Sequence, residues 1–381
     1  MKILFCTNCF DSTHNGTGQF AQHLFRLNEA FPRHEMRVLS EDVTEAKKLF
    51  PNMFYQLTVW YPFFLKPLSV VLRAFNYHHR AIKVKESYQY DIIFYNNIFG
   101  AWWSAIMFTD KTKVVSFIHD YSFIHYGPRS FKLSKGWLYR FFHHLAERIS
   151  ANLVDIIFSN SDYLKKEIET MYKVKPQKVK KLYVAIDINQ IDYRKPLLIE
   201  TGETISIVFV KNDYNRGGLV DLINAVNELS QKYRFKITVI GPYITKKPII
   251  ENLFNKTNII LNFRGNLKQA EVFQAYYTHH ILCVPAKSEA LGVTNMEGLA
   301  HGIPVVTTNV GGIPEVTDGN RCAWISEASN PKNLASTIRR CIESPAERLE
   351  KSLAGRKHVE IHFNYHQMLT KTVTILENLL C

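Results

Sequence analysis

The sequence predicts an α/β protein made of two Rossmann-like units, each a parallel sheet with helices packed on it. Three observations lead there. Short apolar runs of strand type alternate with stretches whose apolar residues recur at helical spacing. Several of the runs, such as Ile92-Ile93-Phe94-Tyr95 and Ile281-Leu282-Cys283-Val284, are apolar throughout, as strands covered on both faces are. The 381 residues suffice for two domains of about 100–200 residues each, and the polar stretch from Arg194 to Glu203 marks a boundary. The first domain is therefore expected over 1–195.

Taken in order, Lys2 to Thr7 is the first strand, followed by the loop Asn15-Gly16-Thr17-Gly18-Gln19-Phe20 and a helix from Ala21 to Leu27. Glycines at such a turn let the backbone approach a ligand closely. The third glycine of a dinucleotide fingerprint is missing, so NAD binding is not expected. Met36 to Ser40, Asp91 to Asn96 and Lys113 to Asp120 follow as strands, the last ending on His119-Asp120. A helix from Leu138 to Ala151, a strand within Leu153 to Ser161 and a capped helix from Asp162 to Met171 come next, and Lys180 to Asp187 closes the half. The second half opens with the strand Ile205 to Val210, the loop Lys211 to Gly218 and the helix Leu219 to Leu229. Strands from Lys236 and Ile259 and a helix from Leu267 to Tyr277 lead to the strand His280 to Pro285. Beyond a short helix from Asn295 to His301 lie the strand Ile303 to Thr308 and the turn Gly311 to Glu315. Helices over Pro331 to Glu343, Ala346 to Phe363 and Tyr365 to Leu380 finish the chain.

Composition narrows the function. Hydrophobic residues at 46% and charged ones at 21% describe a globular protein with full cores. Six scattered cysteines are no disulfide framework and point to a reducing compartment. The first apolar run is too short for a signal peptide, and Ile98 to Phe108 falls short of the ~18–20 residues of a membrane span. A cytoplasmic location is expected. Net charge is +13, of which residues 1–200 carry +9, with bases such as Arg129, Lys132, Lys135, Arg140 and Arg148. That surface fits an anionic membrane face or nucleic acid, and equally a purely solubilising role. The aromatic stretch from Met53 to Tyr77, with Tyr55, Trp60, Tyr61, Phe63, Phe64 and Phe75, fits either an interfacial surface or ordinary core.

The most informative stretch runs from Ser288 to Val306. It places Glu289 in a loop after a strand and Glu297, eight residues on, in the following helix, with Gly292 between them. In an open α/β sheet this is the carboxyl end of the strands, where ligands bind. A helix N-terminus there favours a phosphate, and a carboxylate beside it accepts hydrogen bonds from sugar hydroxyls. The arrangement resembles the E-x7-E segment of the family 4 retaining glycosyltransferases of GT-B fold. The loop Lys211-Asn212-Asp213-Tyr214-Asn215-Arg216-Gly217-Gly218 resembles that family's phosphate loop, often Gly-Asn-Asp-x-x-Arg-Lys-Gly.

The resemblance covers nearly the whole chain and is strongest from Ile205 to Val316. It implies two Rossmann-like domains with their sheets facing a central cleft: an acceptor domain 1–195, a nucleotide-sugar domain 196–364, and a helix 365–381 crossing back to the first domain. It also implies metal-independent transfer with retention from a nucleotide-sugar, a substrate rather than a cofactor, with UDP, GDP and ADP all open. Arg216 and Lys211 would hold the diphosphate with the backbone of Leu291, Gly292 and Val293. Glu297 would bind the ribose, Glu289 the donor sugar, and His119 would contact the sugar near its reacting carbon. Gly16 and Gly18 would line the donor or acceptor site. The basic, aromatic first domain suggests as acceptor a glycan, lipid-linked or lipid-embedded at a membrane face, in bacterial cell-surface polysaccharide synthesis, with peripheral contact at the inner face of the plasma membrane; a soluble acceptor is the alternative.

One departure matters. Gly217 stands where the family has lysine, whereas Lys211 stands where it often has Gly or Arg. A non-catalytic GT-B partner subunit with a degenerate phosphate loop is the alternative reading. Other chemistries find no support. Cys6-Thr7-Asn8-Cys9 lacks a second metal-binding pair, no Asp-x-Asp is present to hold a metal-bound nucleotide-sugar, and there is no nucleophile elbow. No nucleic-acid-binding motif is found.

Overall fold

The computed structural model describes residues 1–11, 16–59, 63–120, 136–242 and 259–381. Asn15, Trp60, Tyr61, Arg129, Lys132 and Lys135 lie outside them, as do the side chains of Phe63 and Phe64. The chain forms two compact units, Met1–Ala185 with Tyr365–Cys381, and Ile186–Asn364.

In the first unit the strands are β1 (Lys2–Thr7), β2 (Glu35–Ser40), β3 (Phe54–Gln56), β4 (Ile92–Tyr95), β5 (Lys113–Ile118), β6 (Ile156–Ser159) and β7 (Val179–Lys181). They form one parallel sheet in the order β3-β2-β1-β4-β5-β6-β7. Phe5, Phe94, Phe117 and Phe158 are fully buried in its core and meet edge to face or stacked, with centroids 5.4–6.2 Å apart. Such ring pairs add to the stabilisation from burial itself.

The second unit holds β8 (Thr204–Val210), β9 (Arg234–Ile240), β10 (Ile259–Gly265), β11 (Ile281–Val284), β12 (Val305–Thr308) and β13 (Trp324–Ser326), all parallel, in the order β10-β9-β8-β11-β12-β13. β11 and β12 are buried along their whole length; β11 is an unbroken apolar run, and β12 ends on Thr307 and Thr308, whose hydroxyls donate to the carbonyls of Val284 and Ala286. Gly298 lets the helix Val293–His301 lie directly on the sheet: a Cβ there would stand 2.4 Å from Leu282 Cδ2.

Each sheet reverses its strand order once, at β1/β4 and at β8/β11. Connections leave opposite faces of the sheet at such a point, and the crevice this opens at the carboxyl ends is the usual ligand site.

The observed elements correct three expectations. The helix after β1 begins at Gly16 and runs to Phe25, so Gly16 and Gly18 sit inside it rather than in a preceding loop. Glycine is a poor helix former, and its presence hid the true start. The units divide at Ala185/Ile186, ten residues before the expected 195/196. Ile186 donates its N–H to the Phe363 carbonyl at 3.0 Å, and Arg356 reaches the carbonyl of Ile191 at 2.7 Å, tying this segment to the second unit. The turn after Gly312 is a short helix, Ile313–Thr317, with Pro314 in its first turn.

Candidate functional site

The two loops at the β8/β11 switch are joined. Arg216 donates from Nε to the Ser288 carbonyl at 3.0 Å, and its own carbonyl accepts from Lys287 N–H at 2.8 Å. Asp213 shapes the first loop, its carboxylate taking the Arg216 N–H at 3.0 Å and its carbonyl the Gly217 N–H at 2.8 Å. Close approach then demands glycine. At Gly218, φ is +76° and a Cβ would lie 2.0 Å from the Pro285 carbonyl oxygen. At Gly311, φ is +60° and a Cβ would lie 1.7 Å from the Glu289 carbonyl oxygen.

Within this frame the Lys211 ammonium is paired with the Glu289 carboxylate, and both side chains are largely withdrawn from solvent. Lys211 itself is fixed by its N–H to the Ile240 carbonyl at 3.0 Å. Gly292, at φ +101°, caps the helix Val293–His301, and buried Leu291 precedes it. The first N–H groups of a helix have no intrahelical partner and carry its positive dipole end. Lys211, Arg216, Glu289 and the Leu291-Gly292-Val293 segment thus lie on two loops joined at one switch point. It is a setting suited to an anion, with a carboxylate placed to take hydroxyl hydrogen bonds beside it.

Glu297 lies on the same helix and is buried. Tyr276, on the helix Gln269–Thr278, donates its hydroxyl to Glu297 Oε2 at 3.0 Å. Burial, and then the Glu297 charge, push the Tyr276 phenol well above its ordinary value, so it stays a donor. Tyr276 escaped sequence reasoning. One turn on, His301 donates Nδ1–H to the Glu297 carbonyl at 2.7 Å. Burial lowers its pKa to about 4, and its ring packs against Phe273, Tyr276 and Tyr277. His301 is neutral and braces the helix.

The remaining predicted residues, His119, Gly16 and Gly18, belong to the first unit. His119 follows β5, stacked on Phe117 (4.2 Å between centroids) and edge-on to Phe20 (5.1 Å). Burial drives its pKa down to about 3, opposed by Asp120, and the ring is neutral at pH 7. Its Nε2 lies 2.7 Å from Asn96 Oδ1, while Asn96 Nδ2 donates to Thr7 Oγ1 at 2.9 Å and to the Thr17 carbonyl at 3.1 Å. Since the amide nitrogen is committed, Nε2 must carry the imidazole proton and Nδ1 is the acceptor. Asn96, fully buried at the end of β4, is a second residue the sequence did not single out. Thr17 lies between Gly16 and Gly18, so its bond to Asn96 ties their helix to the same network. No group of His, Cys, Asp or Glu among the described residues is arranged to hold a metal ion.

The aromatic stretch of the first unit divides. Phe54 and Tyr77 are core, and Tyr77 donates its hydroxyl to the Thr7 carbonyl at 2.7 Å. Phe75 is partly exposed beside Trp102 and Trp103. The helix Trp137–Leu153 exposes Leu138 (44%), Phe141 (41%) and Leu145 (38%) and buries Ala146, Glu147 and Ser150. It therefore turns an apolar stripe outward. No helix among the described residues is long and apolar enough to cross a membrane.

Comparison with known proteins places these features. An uncharacterized glycosyltransferase of Methanocaldococcus jannaschii is 29% identical over 43% of this chain and 49% of its own, so the chain spans about half the length of that relative. The N-acetyl-alpha-D-glucosaminyl L-malate synthase of Bacillus anthracis is 21% identical over 100% of this chain and 98% of its own. The crystal structure of HepE from Anabaena in complex with UDP-glucose superposes with a TM-score of 0.72 at 15% identity, covering 99% of this chain and 100% of that one. The model of the Glycosyltransferase Family 4 matches residues 16–190, and that of the Glycosyl transferases group 1 matches residues 189–358. With both halves matched and the two parallel sheets in place, the chain belongs to the family 4 glycosyltransferases of GT-B fold.

Proposed function

We propose that this protein transfers a sugar, with retention and without a metal ion, from a nucleotide-sugar to an acceptor hydroxyl. The observation that carries the reading is the Lys211, Arg216 and Glu289 cluster at the β8/β11 switch. The reading is supported by HepE, whose structure was solved with UDP-glucose.

In this reading Arg216 and Lys211 bind the diphosphate together with the backbone of Leu291-Gly292-Val293. The two cations stabilise the charge that grows on the leaving diphosphate. Glu297, oriented by Tyr276, takes the ribose hydroxyls, and Glu289 takes those of the donor sugar. His119 is the first unit's contribution, offering a neutral Nδ1 acceptor to the substrate.

The proposed acceptor is a lipid-linked glycan of cell-surface polysaccharide synthesis, met at an anionic membrane face. The outward apolar stripe of Leu138, Phe141 and Leu145 supports that choice. A small hydroxy-acid acceptor is the rival reading, raised by the name of the Bacillus anthracis relative.

The test is a transfer assay across UDP-, GDP- and ADP-sugars with lipid-linked, glycan and malate acceptors. Glu289→Ala is expected to lower transfer by about 10²–10³-fold or more with the fold intact. A fully active Glu289→Ala enzyme would remove this assignment.

A further inference from the structure

Gly217 is the one position of the phosphate loop where the family's lysine is missing, and the structure gives the reason. Its φ lies outside the left-handed region, so the backbone does not call for glycine. Space does. A Cβ at Gly217 would stand 2.7 Å from Phe209 Cζ and 2.8 Å from Lys211 Cγ. The Phe209 ring and the stem of Lys211 together fill the volume into which a side chain at 217 would grow.

Lys211 is held there from three sides. Its N–H bonds the Ile240 carbonyl, its carbonyl oxygen would lie 2.2 Å from a Cβ at Gly241, and its Cγ packs over Gly217. With Lys211 in place, its stem and the Phe209 ring leave no room for a side chain at 217. The family's order, Gly first and Lys late, is reversed here into Lys first and Gly late.

We infer that the loop has transposed its phosphate-binding cation. Lys211 supplies the charge that the family places at position 217, so the loop is intact in function rather than degenerate. The inference rests on the nucleotide-sugar reading above and deepens it. Without donor, the Lys211 ammonium is neutralised by Glu289. Lysine is a point charge on a flexible stem, and an arriving diphosphate draws it off, releasing the Glu289 carboxylate for the sugar hydroxyls. Binding of diphosphate and recognition of the sugar are thereby coupled through one exchanged ion pair.

The test titrates UDP, GDP and ADP, and the corresponding monophosphates, into the wild-type chain and three variants. Lys211→Met keeps the stem over Gly217 and removes only the charge. It is expected to weaken the diphosphate that binds wild type by about tenfold or more, the loss of one charge-assisted contact, and the monophosphate by less than about threefold. Gly217→Lys alone is expected to lower Tm by crowding Phe209 and Lys211. The pair Lys211→Gly with Gly217→Lys, which restores the family's order and removes the Lys211 stem but not the Phe209 ring, is expected to recover diphosphate affinity and part of the lost Tm.

Lys211→Met binding the diphosphate as wild type does would overturn the transposition and leave the donor reading standing. So would an equal loss for mono- and diphosphate. If the wild-type chain binds none of the three nucleotides, the donor reading itself falls, and the transposition with it.

Discussion

The two units build their polar sites in different ways. At the β8/β11 switch the chemistry is packed into two short loops, locked by glycines that no other residue can replace and by hydrogen bonds from one loop to the other. In the first unit it rests on Asn96, a single buried amide joining β1, the helix after it and His119. The loop pair holds charged groups; the amide holds a neutral imidazole. The difference teaches where precision is stored. The charged groups are set by backbone contacts, which tolerate little, whereas the neutral imidazole is set by one buried amide whose oxygen and nitrogen are both committed.

The comparison breaks most easily at Gly311. Gly311→Ala forces a Cβ against the Glu289 carbonyl in a left-handed backbone, an expected cost of about 2–4 kcal/mol. Chemical denaturation followed by circular dichroism reads it, and donor affinity should fall in the same variant. Unchanged stability and affinity would show that the loop lock is slack.

A smaller effect is expected at Tyr276→Phe. It removes the hydroxyl donated to buried Glu297 and should cost about 1–2 kcal/mol. KM for the donor should rise while kcat stays near wild type, since Tyr276 acts through Glu297. A merely structural tyrosine would lower stability without raising KM.

The smallest effect belongs to the first unit and is read in pH. His119 has its folded pKa depressed to about 3, below the ordinary 6.5. Between those values the unfolded chain binds more protons, so this contribution is complete above pH 6.5 and is lost as pH falls toward 3. With allowance for a ring that keeps some solvent access, the loss by pH 4.5 is on the order of 1 kcal/mol. His119→Gln, which keeps an N–H for Asn96, should flatten the fall of Tm between pH 6.5 and 4.5. An unaltered pH profile would show that His119 does not titrate in this way.

What could be read in advance follows from the same contrast. The helices Leu219–Leu229, Pro331–Glu343 and Tyr365–Leu380 lie where their apolar spacing put them. Periodicity over three or more turns is a local signal. The places of Lys211, Arg216, Glu289 and Glu297 in the fold were legible because each lies within a contiguous loop or strand–loop–helix segment. Asn96 and Tyr276 were not, because their roles come from partners such as His119, 23 residues away, and Glu297, 21 away. β13 was missed for another reason: Trp324-Ile325-Ser326 is too short to show alternation. Gly217 was legible as a departure from the family, but only the positions of the Phe209 ring and the Lys211 stem show that it is a steric consequence.

The most direct measurement is thermal unfolding of the wild-type chain with UDP-, GDP- and ADP-sugars. A ligand that binds only the folded state stabilises it by about 2.7 kcal/mol at a hundred times its Kd. One nucleotide class should raise Tm by several degrees, and Glu289→Ala and Lys211→Met should each diminish the rise. No shift with any of the three, or an equal shift in both variants, would contradict a donor site at the β8/β11 switch.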